Sequence, residues 1–240
     1  MVGAASGPSP PCPAARVPFG RWHPPLWEGY PWHWSVYRWL EGENATIERI
    51  ADPCQAATDL AHFIAALQRI DPTGGPLPGP NNSFRGVPLA MRDAPTRAAI
   101  ASLRGTLDAD AATAVWEAAL QAPVWHGPPV WIHGDLQSGN LLAQRGRLSA
   151  VIDFGCLGVG DPACDSIVAW DLLSAEPRGV SRAALPVDAA TWARGRGWAL
   201  SVGLIALPYY QSTNPVLAGI SRYAIDEALA DREHGARHGG

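Results

Sequence analysis

The stretch from Val130 to Asp165 constrains this chain most: V-W-I-H-G-D-L-Q-S-G-N-L-L-A-Q-R-G-R-L-S-A-V-I-D-F-G-C-L-G-V-G-D-P-A-C-D. Val130 to Ile132 reads as a short strand. Leu141-Leu142-Ala143 and Leu148 to Ile152 read as a hairpin joined at Gln144-Arg145-Gly146-Arg147. Between strand and hairpin lies a polar turn with the pattern H-x-D-x-x-x-x-N, and the hairpin ends in Asp153-Phe154-Gly155.

Composition narrows the class. The 240 residues allow one large domain or two modest ones. Hydrophobic residues at 47% and charged residues at 17% describe a soluble globular protein with ample core. A net charge of −4 argues against a nucleic-acid partner, which calls for a basic face. No apolar run approaches the roughly 20 residues needed to cross a bilayer. The N-terminus is Ala, Gly, Ser and Pro without a signal pattern. Cys12, Cys54, Cys156 and Cys164 form no C-x-x-C pair and read as reduced thiols of a cytoplasmic protein. All 18 Lys+Arg residues are Arg.

Residues 1–16 are rich in Pro and Gly, and disorder is expected there. His33 to Leu40 alternates aromatic and β-branched residues and predicts a strand, followed by Glu41-Gly42-Glu43-Asn44 as a turn or hinge. Asp52-Pro53 opens a helix carrying Leu60, Phe63, Ile64 and Leu67, which Asp71-Pro72 stops. Pro72 to Arg85 reads as loop, either a flexible connection or, through Asn81, Asn82 and Arg85, a lining of the acceptor entrance. Helices are predicted near Ala94 to Leu107 and Ala111 to Gln121. Asp161-Pro162 caps another, Asp188 opens one to about Leu207, and Asn214-Pro215 opens the last, to about Ala230.

The polar residues suit phosphoryl transfer to an alcohol, which is mainly a matter of positioning and charge. Asp135 is the candidate to orient the acceptor hydroxyl and take its proton. Asn140 and Asp153 offer oxygen ligands, the kind Mg²⁺ requires. His133 reads as a support beneath the turn. Gly155 permits a backbone bend after Asp153.

These motifs resemble the aminoglycoside phosphotransferase and choline kinase superfamily, relatives of the protein kinases. Gly134 fits its small-molecule branch, and S-V-Y-R-W-L-E-G-E resembles its last N-lobe strand and hinge. The resemblance implies an α+β, protein-kinase-like fold with a mainly helical C-lobe, a small catalytic hairpin and a truncated N-lobe sheet. It implies ATP and Mg²⁺ as cofactors and a small-molecule hydroxyl acceptor, amine-bearing by analogy. It makes Asp135 catalytic with His133 beside it, Asn140 and Asp153 the metal ligands, and Trp39, Leu40 and Glu41 the nucleotide hinge. Asp165 would brace the catalytic loop, and Asp161 would lie toward the acceptor. The domain reading is a tail at 1–16, an N-lobe remnant and hinge at 17–44, a phosphotransferase domain at 45–232, and a flexible tail at 233–240.

The front of the chain departs from that pattern. There is no Gly-rich phosphate loop ahead of the motif, and the family's strand lysine cannot exist here. Three readings stay open: a truncated or mis-started product, a minimal member using Arg38 or Arg21, and a non-catalytic binding remnant. A metal-dependent phosphohydrolase is a further rival. Trp192, Trp198, Tyr209, Tyr210 and Tyr223 read first as core, with an aromatic acceptor wall as the sharper option. Asp226, Glu227 and Asp231 read first as a solvated helix face. Oligomeric state is not legible.

Overall fold

The computed structural model describes residues 21–22, 35–36 and 38–237, with side chains from 38 to 231. The expected tail at 1–16 lies outside the described residues, as does much of the strand expected over His33 to Leu40. Two short strands pair antiparallel at the front, β1 (Arg21–Trp22) and β2 (Ser35–Val36). Arg38 to Leu40 is irregular. The hinge is more than the expected turn: Glu43–Asn44 forms β3, which pairs antiparallel with the catalytic hairpin.

The helical lobe begins at α1 (Pro53–Gln68), capped by Asp52, whose side chain accepts the Gln55 N–H at 2.9 Å. Leu60, Ala61 and Ile64 bury its apolar face. The loop that follows contains a 3₁₀ turn at Pro80–Asn82. Next comes α2 (Asp93–Ser102), five residues shorter than expected at its C-terminal end, because the chain turns at Gly105 with φ of 84°. Asp108 caps α3 (Ala109–Gln121).

Strand β4 (Val130–Ile132) leads into the polar turn. The hairpin is β5 (Leu141–Gln144) and β6 (Arg147–Val151), with a bulge between Leu142 and Ala143. Sequence reasoning missed β7 (Gly158–Gly160), whose G-V-G reads as loop but pairs antiparallel with β4. Asp161-Pro162 starts a 3₁₀ segment, Pro162–Ile167, before the single turn of α4 (Val168–Asp171). Also missed is α5 (Ala175–Ala184), hidden by Pro177 and Gly179. Then α6 (Ala189–Tyr210) runs through the lobe, and α7 (Pro215–Arg237) continues past the expected boundary at 232.

Helix α6 is the hub, packing on α7, α3, α2 and the 3₁₀ segment. Its Trp198, Leu200 and Leu204 are fully buried beside Trp116 and Trp170. Each fully buried Leu contributes on the order of 1.5–3 kcal/mol. Ile132, Leu136 and Leu141 extend this core under the polar turn. The turn therefore rests on packed hydrocarbon, while its polar side chains rise from that floor. Among the described residues no helix is long and apolar enough to cross a membrane.

Candidate active site

The polar turn is held from below by three buried groups. Asp165, fully buried, accepts the His133 N–H at 2.7 Å and the Gly134 N–H at 2.8 Å. Burial pushes its carboxyl up, and His133 and those two amides oppose the push. His133 is also fully buried, with its ring against Phe154. Its Nδ1 accepts the Asp135 N–H at 3.3 Å, which leaves Nε2 to donate to the Ile152 carbonyl at 2.9 Å. His133 thus acts through the backbone that carries Asp135. Gly134 has φ of 81°, and a Cβ there would lie 2.4 Å from the Cys156 carbonyl oxygen. Only glycine fits at that crossing.

The side chain of Asp135 is a quarter exposed and emerges from this frame. Asn140 Nδ2 donates to its main-chain oxygen at 2.8 Å and its Oδ2 at 3.0 Å. Gln137 Nε2 donates to the same Oδ2 at 2.9 Å. An amide N–H must face a carboxylate, so Asn140 Oδ1 turns away from Asp135. The Asn140 carbonyl accepts the Ile152 N–H at 2.9 Å, which fastens the turn to the end of the hairpin next to Asp153.

Asp153 is exposed and sits in the left-handed region, φ 58° and ψ 69°. For a residue with a Cβ this costs on the order of 1–3 kcal/mol, a strain that clusters at functional positions. Its Oδ1 accepts the Gly155 N–H at 3.2 Å. Among the described residues no group of three or more His, Cys, Asp or Glu could hold a metal. A Mg²⁺ carried on nucleotide phosphates needs only one or two protein oxygens, and the Asn140 amide and Asp153 carboxylate are donors of the right hardness.

Asp153 and Asp135 open onto different cavities. Asp153 lines one of about 610 Å³, with Arg38, Trp39, Leu40, Gly42, Asn44, Leu142 and Phe154. Of the expected hinge residues, Trp39 and Leu40 are on this wall and Glu41 is not. Asp135 lines a second cavity of about 210 Å³, walled by Ala199, Val202 and Ala206 of α6 and by Leu217 and Ile220 of α7. The Cys156 thiol is close enough to feel both carboxylates. Burial raises its thiol, as do Asp135 and, less strongly, Asp153.

Two further residues line the second cavity: Asp171, which sequence reasoning missed, and Arg85, which it offered as part of the loop at the acceptor entrance. Asp171 accepts the Ser138 N–H at 2.7 Å, and burial drives its carboxyl up to about 7, helped by the nearby Asp135. Arg85 arrives from the Pro-rich loop, and its Nη2 lies 3.1 Å from Asp135 Oδ1. Nothing in the spacing of either residue announces these contacts.

Other candidates sit elsewhere. Asp161 was expected toward the acceptor, but it is buried in a pair with Arg194, at 2.8 and 3.1 Å, and caps the Ala163 N–H. Arg194 also bonds the Pro123 carbonyl. Trp192 and Trp198 are core, Tyr209 is exposed, and Tyr210 alone of the expected aromatics lines the Asp135 cavity. Glu227 and Asp231 are not a solvated face: Arg178, 3% exposed, holds both, and Arg196 holds Asp231.

Known phosphotransferases share this fold. Among solved structures, the GDP and kanamycin complex of APH(2")-IIia superposes with a TM-score of 0.59 at 16% identity, covering 92% of this chain and 78% of that one. The streptomycin-ATP-APH(2")-IIa ternary complex gives 0.53 at 18% identity, covering 90% and 75%. The macrolide 2'-phosphotransferase MphH from Brachybacterium faecium gives 0.50 at 22%, covering 91% and 75%. At these identities the likeness establishes the kinase-like α+β fold. No curated protein matches significantly. The family model described as "Phosphotransferase enzyme family" matches residues 4–198, from ahead of β1 to the middle of α6. With most of its length accounted for in this way, the chain belongs to the phosphotransferase enzyme family.

Proposed function

We propose that the chain transfers the γ-phosphoryl group of ATP to a hydroxyl of a small molecule, with Asp135 orienting that hydroxyl. The carrying observation is a pair of separate cavities, one lined by Asp135 and the other by Asp153. A nucleotide would occupy the larger cavity and an acceptor the smaller, with Asn140 tying the Asp135 carboxylate to the end of the hairpin before Asp153. The solved neighbours hold GDP with kanamycin and ATP with streptomycin, which supports that division.

Asp135 accepts the acceptor proton, and the donors on its Oδ2 fix its angle. Asn140 and Asp153 would hold Mg²⁺, which when bound neutralises the phosphate oxygens. Trp39 and Leu40 would flank the base of the nucleotide. His133 and Asp165 keep the turn in register. Residues 45–232 would form the phosphotransferase domain, with 17–44 supplying the hinge and nucleotide-side strands.

The smaller cavity suits an acceptor with one amine beside an apolar flank. An ammonium next to Asp171 would drive that carboxyl to ionise. A polycation would need further free carboxylates, and Glu227 and Asp231 are already engaged by arginines. Cys54, Cys156 and Cys164 are free thiols, which suits the cytoplasm.

The test is an acceptor panel with Mg·ATP, read by mass for gain of one phosphoryl group. Alcohols with a single amine should be phosphorylated ahead of polyamine sugars. ATP hydrolysis independent of every acceptor would instead identify a phosphohydrolase.

A further inference from the structure

The loop between α1 and α2 is tightly determined. Its Pro76 carbonyl accepts the Val159 N–H at 2.9 Å, and its Gly86 carbonyl accepts the Asp161 N–H at 3.0 Å, so it lies along β7. Asn82 pins the bend, accepting the Gly79 N–H at 3.0 Å and donating to the Arg85 carbonyl at 3.3 Å. Ser83 and Phe84 are consecutive left-handed residues with φ of 54° and 57°. Gly86 follows with φ of 82°, and a Cβ there would lie 2.7 Å from Ile132 Cδ1. Backbone held this way persists only where its surroundings over-determine it. What the bend presents is Arg85. Its guanidinium touches Asp135 at 3.1 Å, and its Nε is buried with no hydrogen-bond partner among the described residues.

We infer that Arg85 is a catalytic residue that contacts the phosphoryl group during transfer and offsets its charge. This rests on the phosphotransferase reading. An acceptor oxygen bonded to Asp135 lies about 2.6–3.2 Å from the carboxylate. The phosphorus it attacks lies about 3–3.5 Å further. The transferring group therefore passes within roughly 6 Å of a carboxylate that Arg85 already touches, inside the sweep of its side chain. A guanidinium fork can bond a carboxylate and a phosphoryl oxygen together. In the step, the acceptor oxygen forms a bond to phosphorus and the bond from phosphorus to the nucleoside diphosphate breaks. The hydroxyl proton goes to Asp135 and then to water; Arg85 gives up no proton. In a chain without lysine, Arg85 supplies the cation on the transfer path.

The experiment uses the full chain with Arg85→Gln and Arg85→Lys, Mg·ATP and the best acceptor from the panel. Arg85→Gln should lower kcat on the order of 10²–10³-fold, with both KM values nearly unchanged. Arg85→Lys should fold normally and recover part of the loss. Affinity for Mg·ADP with aluminium fluoride, a mimic of the transferring group, should fall in Arg85→Gln while affinity for Mg·ADP alone holds. A merely structural role would move both affinities together. Wild-type or faster kcat in Arg85→Gln, or undiminished aluminium fluoride affinity, overturns the inference and leaves the phosphotransferase reading standing. Failure of that reading looks different: wild type and variants alike would lack acceptor-dependent turnover and any preference for the fluoride complex, and the role of Arg85 would fall with it.

Discussion

Asn140 Nδ2 bonds both the main-chain oxygen and the Oδ2 of Asp135, at 2.8 and 3.0 Å. One amide thereby closes the turn and aims the carboxylate that lines the smaller cavity. Asn140→Asp would place two carboxylates in contact there. Like charges at that distance raise one apparent pKa by a unit or more, on the order of 1–3 units. The acidic limb of the kcat/KM profile should move to higher pH in the variant. An unmoved limb would mean Asp135 does not titrate with the reaction.

Asp171 gives a stability prediction with a definite sign. Its carboxyl stands at about 7 in the folded chain against an ordinary 3.8, so the folded state binds more protons between those values. Its contribution is fully present below pH 3.8 and is lost as pH rises through about 7. Asp171→Asn does not titrate and can still accept the Ser138 N–H. Urea unfolding of both proteins from pH 4.5 to 7.5 should show the variant gaining steadily on wild type. Parallel curves would contradict the burial argument.

Asp161 and Arg194 form a buried pair, 5% and 3% exposed. Asp161→Ala leaves the guanidinium uncompensated and should cost about 3–5 kcal/mol in unfolding free energy. Replacing both partners with apolar residues of similar volume should cost less than either single change. The KM for acceptor should hold in any variant that stays folded. A selective rise in that KM would restore Asp161 to the acceptor side.

Gly134→Ala combines a left-handed backbone with a Cβ 2.4 Å from a carbonyl oxygen. Together these should cost about 2–4 kcal/mol and displace Asp135. The melting temperature and kcat should fall together. A variant with unchanged melting temperature would show that the Cys156 segment yields easily.

The hairpin, the caps at Asp52 and Asp188, and the polar turn that carries His133, Asp135 and Asn140 were legible because each is set by local spacing. Residues joined by tertiary approach were not. Arg85 meets Asp135 across 50 positions, and Asp171 meets Ser138 across 33, through folds of chain that no short-range pattern encodes. The pairing of Asp161 with Arg194 was not legible either, because Arg194 lies 33 positions on, in another helix. Strand β7 was missed because Gly158 and Gly160 hide a pairing that depends on close approach, with Asn82 and Gly86 occupying the space of their absent side chains.

In the proposed function Asp135 orients an acceptor hydroxyl for attack on ATP. The most direct test is acceptor-dependent product formation by wild type and Asp135→Asn, under saturating Mg·ATP. Wild type should form phosphorylated product, and the variant should lose essentially all turnover with its melting temperature and ATP affinity retained. Equal turnover by the two proteins would contradict it.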